Sequence, residues 1–232
     1  NSGDYRLLRS AKNRFGSTNE VAMFQMGAKG LVEISDPSQV LIAERGDGAV
    51  GSAIVPVMEG SRPLLMEVQA LTSTSSLTTP KRTANGVDYN RMIMIAAVLN
   101  RRARLPMANQ DIIVNVAGGL RVSEPAADLA LALALASSLR GLPLKSSLVA
   151  IGEVGLSGEL RSASQLERRL SEASRLGFAE CLLPSSTEDK VPPIKGLKFI
   201  YAPTVERAIK LAINTRQKRD QKSGGSRIMP QN

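Results

Sequence analysis

From Ala126 to about Leu139 the chain reads Ala-Ala-Asp-Leu-Ala-Leu-Ala-Leu-Ala-Leu-Ala-Ser-Ser-Leu, a helix that is apolar almost all round. A helix without a polar face cannot lie on a surface, so other elements must enclose it. Pro125 suits the first turn of that helix, where its missing N–H costs nothing. A strand pattern precedes the helix, Asp111-Ile-Ile-Val-Asn-Val116, and another follows it, Leu148-Val-Ala-Ile151. Beyond them Ser164-Gln-Leu-Glu167 reads as a capping-box start. Leu166, Leu170 and Ala173 form that helix's inward stripe, and Gly177 stops it. Strands at Glu180–Leu183 and Lys198–Tyr201 come next, and Thr204 caps a last helix in which Glu206 and Lys210 form an i,i+4 pair. Strands alternating with helices after a meander predict an α/β (α+β) fold with a mixed sheet and packed helices.

The meander lies upstream. Tyr5–Arg9, Val21–Met26 and Gly30–Ile34 read as short strands, and they open in mid-pattern, as the tail of a domain whose body precedes Asn1. Turn residues at Asp36-Pro-Ser-Gln and Glu44-Arg-Gly-Asp-Gly48 mark a boundary. Gly51–Met58 and Pro63–Ala70 form a hairpin around Glu59-Gly-Ser-Arg62, and a Ser/Thr-rich loop runs from Leu71 to Thr79. Asp88 caps a helix with Met92, Ile95 and Leu99 on one face, reaching about Arg104. Arg91 and Arg102 share nearly one azimuth on it, about 16 Å apart at 1.5 Å per residue. After Thr215 the periodicity ends in a basic tail predicted to be disordered. The expected units are 1–47, 48–215 and 216–232.

Composition excludes several chemistries. The 232 residues contain no histidine and one cysteine. Ser-His-Asp catalysis is therefore excluded, the commonest zinc ligand is missing, and no metal site is expected. Cys181 lies in a buried strand pattern and reads as a small core residue. The apolar run Leu129–Ala136 is too short to cross a bilayer, so no membrane partner is expected. The net charge of +9 points to a polyanionic partner, against the plainer alternative of a soluble basic surface. Aromatic residues are only 3% of the chain, so nucleic-acid binding would rest on phosphates rather than on stacked bases.

Val116-Ala-Gly-Gly-Leu-Arg-Val-Ser-Glu-Pro-Ala-Ala-Asp128, the Ala/Leu helix and Gly152-Glu-Val-Gly-Leu-Ser-Gly-Glu-Leu-Arg161 together resemble the proteolytic domain of Lon proteases. That family uses a serine in a Gly-Pro-Ser-Ala-Gly segment and a lysine in a Gly-Gly-Leu-Lys-Glu-Lys segment, the amine serving as base for the hydroxyl. In register, Ala126 stands at the serine position and Glu167 at the lysine position. The resemblance thus implies a degenerate dyad with no catalytic residue. Ser123 and Ser157 remain as replacement nucleophiles, each with a structural alternative as a cap or turn residue. The glycines from Gly152 to Gly158 read as a hairpin turn, since no Gly-Lys-Ser/Thr ending makes them a phosphate loop.

Lys12-Asn13-Arg14-Phe15-Gly16 matches a five-residue motif of the RadA (Sms) family of bacterial DNA-repair ATPases. Glu67-Val-Gln-Ala-Leu71, Pro80-Lys-Arg82, Asp88-Tyr-Asn-Arg91 and Val114-Asn-Val-Ala-Gly-Gly119 extend the match over nearly everything before Thr215. The resemblance implies that residues 1–47 end a RecA-like ATPase core and that 48–215 form a Lon-like domain. It implies a parent ATPase that promotes branch migration, with ATP and Mg, and with Zn in an N-terminal module absent here. This chain, without a Walker A loop, needs no cofactor and is expected to hydrolyse neither ATP nor peptides. Implied partners are single-stranded or branched DNA, further copies in a hexameric ring, and a RecA-type recombinase. The implied location is the bacterial cytoplasm and nucleoid, or an organelle stroma or matrix. Lys12 and Arg14 would couple a neighbouring subunit's nucleotide to DNA. Lys81, Arg82, Arg91, Arg101, Arg102 and Arg104 are the candidates for a DNA-facing surface, with Arg121 and Arg161 for subunit packing. Two other readings stay open: an active Lon-like serine peptidase with a relocated nucleophile, and a purely structural oligomerisation module.

Overall fold

The computed structural model describes residues 5–9, 21–27, 30–43, 45–46 and 48–214. The Lys12–Gly16 motif and the basic tail after Thr215 lie outside the described residues. Strands β1 (Tyr5–Arg9), β2 (Val21–Gly27) and β3 (Gly30–Glu33) pair antiparallel in chain order. A short helix, α1 (Pro37–Ala43), follows where turn residues alone suggested a boundary.

Seven further strands make one mixed sheet. The long hairpin of β4 (Ser52–Glu59) and β5 (Arg62–Thr74) turns at Glu59 and Arg62 as its sequence predicts. β5 runs on to Thr74, through part of the expected loop, because Leu71–Thr74 pair with β7. Short edge strand β6 (Arg82–Asn85) carries no sequence signal of its own and is made by parallel pairing to β7 (Gln110–Val116). Between them runs α2 (Tyr89–Arg102), capped by Asp88, whose carboxylate accepts the Arg91 N–H at 2.8 Å.

The apolar helix is α3 (Asp128–Arg140), entered through a 3-10 turn at Pro125–Ala127. Every residue from Asp128 to Ser137 is buried, as an all-round apolar helix requires. The remaining elements are β8 (Leu148–Ala150), the small hairpin of β9 (Glu153–Val154) and β10 (Leu160–Arg161), α4 (Leu166–Arg175), β11 (Glu180–Pro184), β12 (Lys198–Ala202) and α5 (Val205–Ala212). The sheet order is β12-β11-β8-β4-β5-β7-β6, parallel from β12 to β4 and antiparallel through β5 to β7.

Alternate residues of the central strands feed two cores. Ala53, Val55, Val57, Leu64 and Met66 meet α2, α3 and α5 on one face. Ile54, Leu65, Val149, Cys181 and Leu183 meet Leu170 and Ala173 of α4 on the other. Cys181 is fully buried, and burial pushes its thiol well above the ordinary range, in keeping with a core role.

Residues before the expected boundary at 47 reach into these layers. Asp36 accepts two hydrogen bonds from Arg175, at 2.6 and 3.0 Å. The Ser38 hydroxyl donates to Glu172 at 2.7 Å and accepts the Leu65 N–H at 3.1 Å. Gly118, at φ 77°, leaves room for Leu41 and Tyr5, since a Cβ there would lie 2.7 Å from Leu41 Cδ2. The polar staple on α4 and the apolar plug at Gly118 together fasten α1 to the large sheet.

One predicted cap is corrected. The N-cap of α4 is Gln165, at φ 54°, with no side-chain cap bond, rather than Ser164 with Glu167 as a capping box. The Ser164 carbonyl instead accepts Arg169 Nε at 2.9 Å, so a buried arginine organises this turn.

Candidate functional site

The 3-10 turn before α3 puts Ala126 into the core between the sheet and α4, 4% exposed. Its methyl group offers neither nucleophile nor acid. Glu167 is exposed on the first turn of α4, in an open groove of ≈ 460 Å³ with Pro63, Arg168, Ser171, Glu172 and Arg175. A carboxylate there suits the positive end of the helix. No hydroxyl stands at the first position and no amine at the second, and one side chain is buried while the other is exposed.

Two residues below Glu167 the helix turns Arg169 inward, 1% exposed. Its Nη1 and Nη2 donate to the two carboxylate oxygens of Glu124, both at 2.6 Å. Nη1 also reaches the Pro56 carbonyl at 2.6 Å, while Glu124 Oε1 accepts the Met58 N–H at 2.9 Å. The register explains why. β4 pairs with β8 only at Ile54, so beyond that residue its edge has no strand partner on this side. Pro56, which has no N–H, stands on that unpaired edge, where a strand tolerates proline. The Glu124–Arg169 pair therefore completes the edge of β4 with charge-assisted hydrogen bonds in place of a strand.

At the first residue of α3, Asp128 is 2% exposed and is held by Arg91 of α2. Arg91 Nε donates to Oδ1 at 2.6 Å, Nη2 to Oδ2, and the Val154 N–H reaches Oδ2 at 3.1 Å. Burial pushes the Asp128 carboxyl up, opposed by the Arg91 guanidinium and the Val154 N–H, and the Arg91 guanidinium is in turn held further up by its bond to Asp128. The start of α3 is thus gripped from two sides by bidentate arginine–carboxylate pairs.

The recess between these pairs, ≈ 30 Å³, is lined by Asp88, Arg91, Ser123, Glu124 and Asp128 among apolar residues. A cavity holds one water in about 10–15 Å³, so this recess takes a water or two and no peptide side chain. Ser123 is exposed at its mouth, and no lysine lines it. Ser157 sits in the β9–β10 turn, its N–H donating to Glu159 at 3.1 Å. A Cβ at Gly155 would lie 2.0 Å from the Glu159 carboxylate, so a side chain there would push that carboxylate aside.

The cationic residues separate into three groups. Arg101 and Arg102 on the last turn of α2 and Arg104 just past its C-cap are exposed together, where cations suit the helix dipole. Lys81 and Arg82 lie at the start of edge strand β6, and Arg82 Nη2 donates to the Met107 and Ala108 carbonyls at 3.0 and 3.3 Å. Arg82 thereby rims a groove of ≈ 300 Å³ along α2, lined by Ile93, Ala96, Ala97 and Asn100. Arg91 stands apart at the other end of α2 with its guanidinium taken up by Asp128, so sharing an azimuth with Arg102 does not make the two equivalent. Arg121 is exposed, and Arg161 pairs with Glu159 at 2.6 Å. Among the described residues no group of three or more His, Cys, Asp and Glu is arranged to hold a metal, and no helix is long and apolar enough to cross a membrane.

Arg169, Glu124 and Asp128 were not among the candidates from sequence, yet two of them left a signal. Arg169 falls on the Leu166–Leu170–Ala173 stripe, and Asp128 is the one charge inside an apolar helix.

The family described as subunit ChlI of Mg-chelatase matches residues 68–187, just over half of the chain. The chain belongs to that family. It is also a relative of the DNA repair proteins RadA. It is 45% identical over 209 residues to DNA repair protein RadA of Listeria monocytogenes, 44% over 209 residues to that of Bacillus subtilis, and 45% over 206 residues to that of Streptococcus pneumoniae. These matches cover 89–90% of the chain but only 46–49% of the relatives, so the chain spans about half their length. The likeness read from the sequence motifs is found.

Proposed function

We propose that this chain is the DNA-engaging, ring-forming region of a RadA-type DNA repair protein that acts in branch migration of recombination intermediates. In this reading its large domain is a Lon-like fold without peptidase chemistry. The likeness to RadA over nine-tenths of the chain carries the reading. The site supports it: Ala126 supplies no nucleophile, and side chains already satisfy the free edge of β4.

The surface for nucleic acid comprises Lys81, Arg82, Arg101, Arg102 and Arg104, with Arg91 removed from that set by its commitment to Asp128. Lys12 and Arg14 couple ATP bound at a subunit boundary to DNA. Arg121 and Arg161 serve packing in a hexameric ring. ATP, Mg and Zn belong to the rest of the longer protein, which works on single-stranded or branched DNA with a RecA-type recombinase in the bacterial cytoplasm, or in an organelle matrix or stroma.

Titrating the chain with single-stranded and forked DNA at several salt concentrations tests this. About five phosphate contacts give a slope of log K against log salt between roughly −3 and −5. Salt-independent binding, or turnover of a peptide substrate with labelling of Ser123 or Ser157 by a serine-directed probe, would overturn it. In the longer protein Lys12→Ala and Arg14→Ala should each lower DNA-stimulated ATP hydrolysis.

A further inference from the structure

Leu156 is 70% exposed, the most exposed large apolar side chain among those described. It occupies the tip of the β9–β10 hairpin, in the turn Gly155-Leu156-Ser157-Gly158, and that turn is held from several directions. The Gly158 N–H closes on the Gly155 carbonyl at 2.9 Å and the Gly155 N–H on the Glu159 carbonyl at 2.9 Å. The Glu159 carboxylate folds beneath the tip, accepting Ser157 N–H and Arg161 Nη2, and its own backbone N–H, then Arg161, hold its carboxyl below the usual range. The hairpin base is tied to α5, where the Val205 N–H meets the Gly158 carbonyl at 2.9 Å. Arg102 Nε donates to the Leu156 carbonyl at 3.4 Å, which places the tip against the Arg101–Arg104 turn of α2.

An isolated exposed leucine is ordinary on a protein surface. This one differs in being presented by a braced turn beside three exposed arginines. The acidic groups packed nearby are already paired, Glu159 with Arg161 and Glu206 with Lys210, while Arg104 also contributes to holding the Glu206 carboxyl down. The free charge around the tip is therefore positive, and a phosphate backbone is the complementary partner. Cations gripping phosphates beside a rigid apolar side chain suit the way proteins insert an apolar wedge between base steps, unstacking them.

We propose that Leu156 is such a wedge: Arg101, Arg102 and Arg104 hold the backbone at a strand junction, and the leucine side chain enters the base stack there. This rests on the DNA-binding reading above and assigns it one residue that contacts bases. A sequence-tolerant wedge also fits a chain too poor in aromatics to bind by stacking.

The test uses the 232-residue chain and a forked DNA carrying 2-aminopurine at the junction. Binding of the unaltered chain should raise 2-aminopurine fluorescence several-fold. Leu156→Ser should abolish that rise while leaving the affinity within about twofold and the salt slope unchanged, because phosphate contacts carry most of the binding. Leu156→Phe should keep the rise. An unchanged rise in Leu156→Ser overturns the proposal while leaving the DNA-binding reading intact. So does a Leu156→Ser chain that changes its sedimentation and not its DNA complex, which would assign the tip to a second copy. Failure of the unaltered chain to bind DNA sinks both readings, and binding without a rise in its fluorescence sinks only the wedge.

Discussion

Arg169 and Arg102 are both helix arginines, yet they stand in opposite situations. Arg169 is 1% exposed and spends its donors on Glu124, Pro56 and Ser164, all within the fold. Arg102 is exposed on the last turn of α2 with only the Leu156 carbonyl at 3.4 Å. The first helps satisfy the free edge of β4 beside the start of α3, and the second stands exposed at the surface. Positive charge in this chain therefore has two separate roles, and composition alone cannot apportion it.

Arg169→Ala offers the largest break in that comparison. Removing one partner of a buried pair leaves Glu124 uncompensated, and urea unfolding should show a loss of about 3–5 kcal/mol. The double variant Glu124→Leu with Arg169→Met sharpens the point. A pair holding only itself could be replaced almost without cost, but this one also satisfies backbone groups of β4, so a loss of about 1–3 kcal/mol should persist. Asp128→Ala should follow at about 1–3 kcal/mol by the same measurement, because Arg91 and the Val154 N–H lose their acceptor.

Acid should loosen α1 before the rest of the fold. The hydrogen bond from Arg175 holds the Asp36 carboxyl below its usual range. Burial would push Glu172 up, but its bonds from Arg175 and Ser38 prevail and hold it down. Groups depressed in the folded state stabilise it above their unfolded values, and that stability is lost as pH falls through the folded ones. Hydrogen exchange in 36–43 should therefore accelerate below about pH 4. Arg101→Ala or Arg104→Ala should move stability least, within about 0.5 kcal/mol. Each should instead reduce the magnitude of the DNA salt slope by about 0.9 for the phosphate contact it removes. A stability loss like that of Arg169 in either would erase the distinction between closed and open arginines.

Much of this was legible in the chain. The β4–β5 hairpin, the Asp88 and Thr204 caps, the stop at Gly177 and the enclosed Ala/Leu helix follow from local chemistry, which acts within a few residues. Ala126 and Glu167 were matched to motif positions by register alone, and the structure adds that the first is buried and the second exposed. Elements made by distant partners were harder to see. β6 exists because β7 lies beside it, β5 reaches Thr74 for the same reason, and α1 is held by residues more than a hundred positions away. The Ser164 capping box failed because the helix starts one residue later, after Gln165 in the left-handed region, where Ser164 is no longer the cap.

By itself, then, the order of residues determined most element types, the enclosure of α3 and the exclusion of histidine chemistry, since periodicity and residue chemistry are local properties. Only the tertiary structure decided which arginines are spent inside. Arg91 and Arg169 meet their carboxylates 37 and 45 residues away, and a buried charge is stable only where the fold brings an opposite one to it.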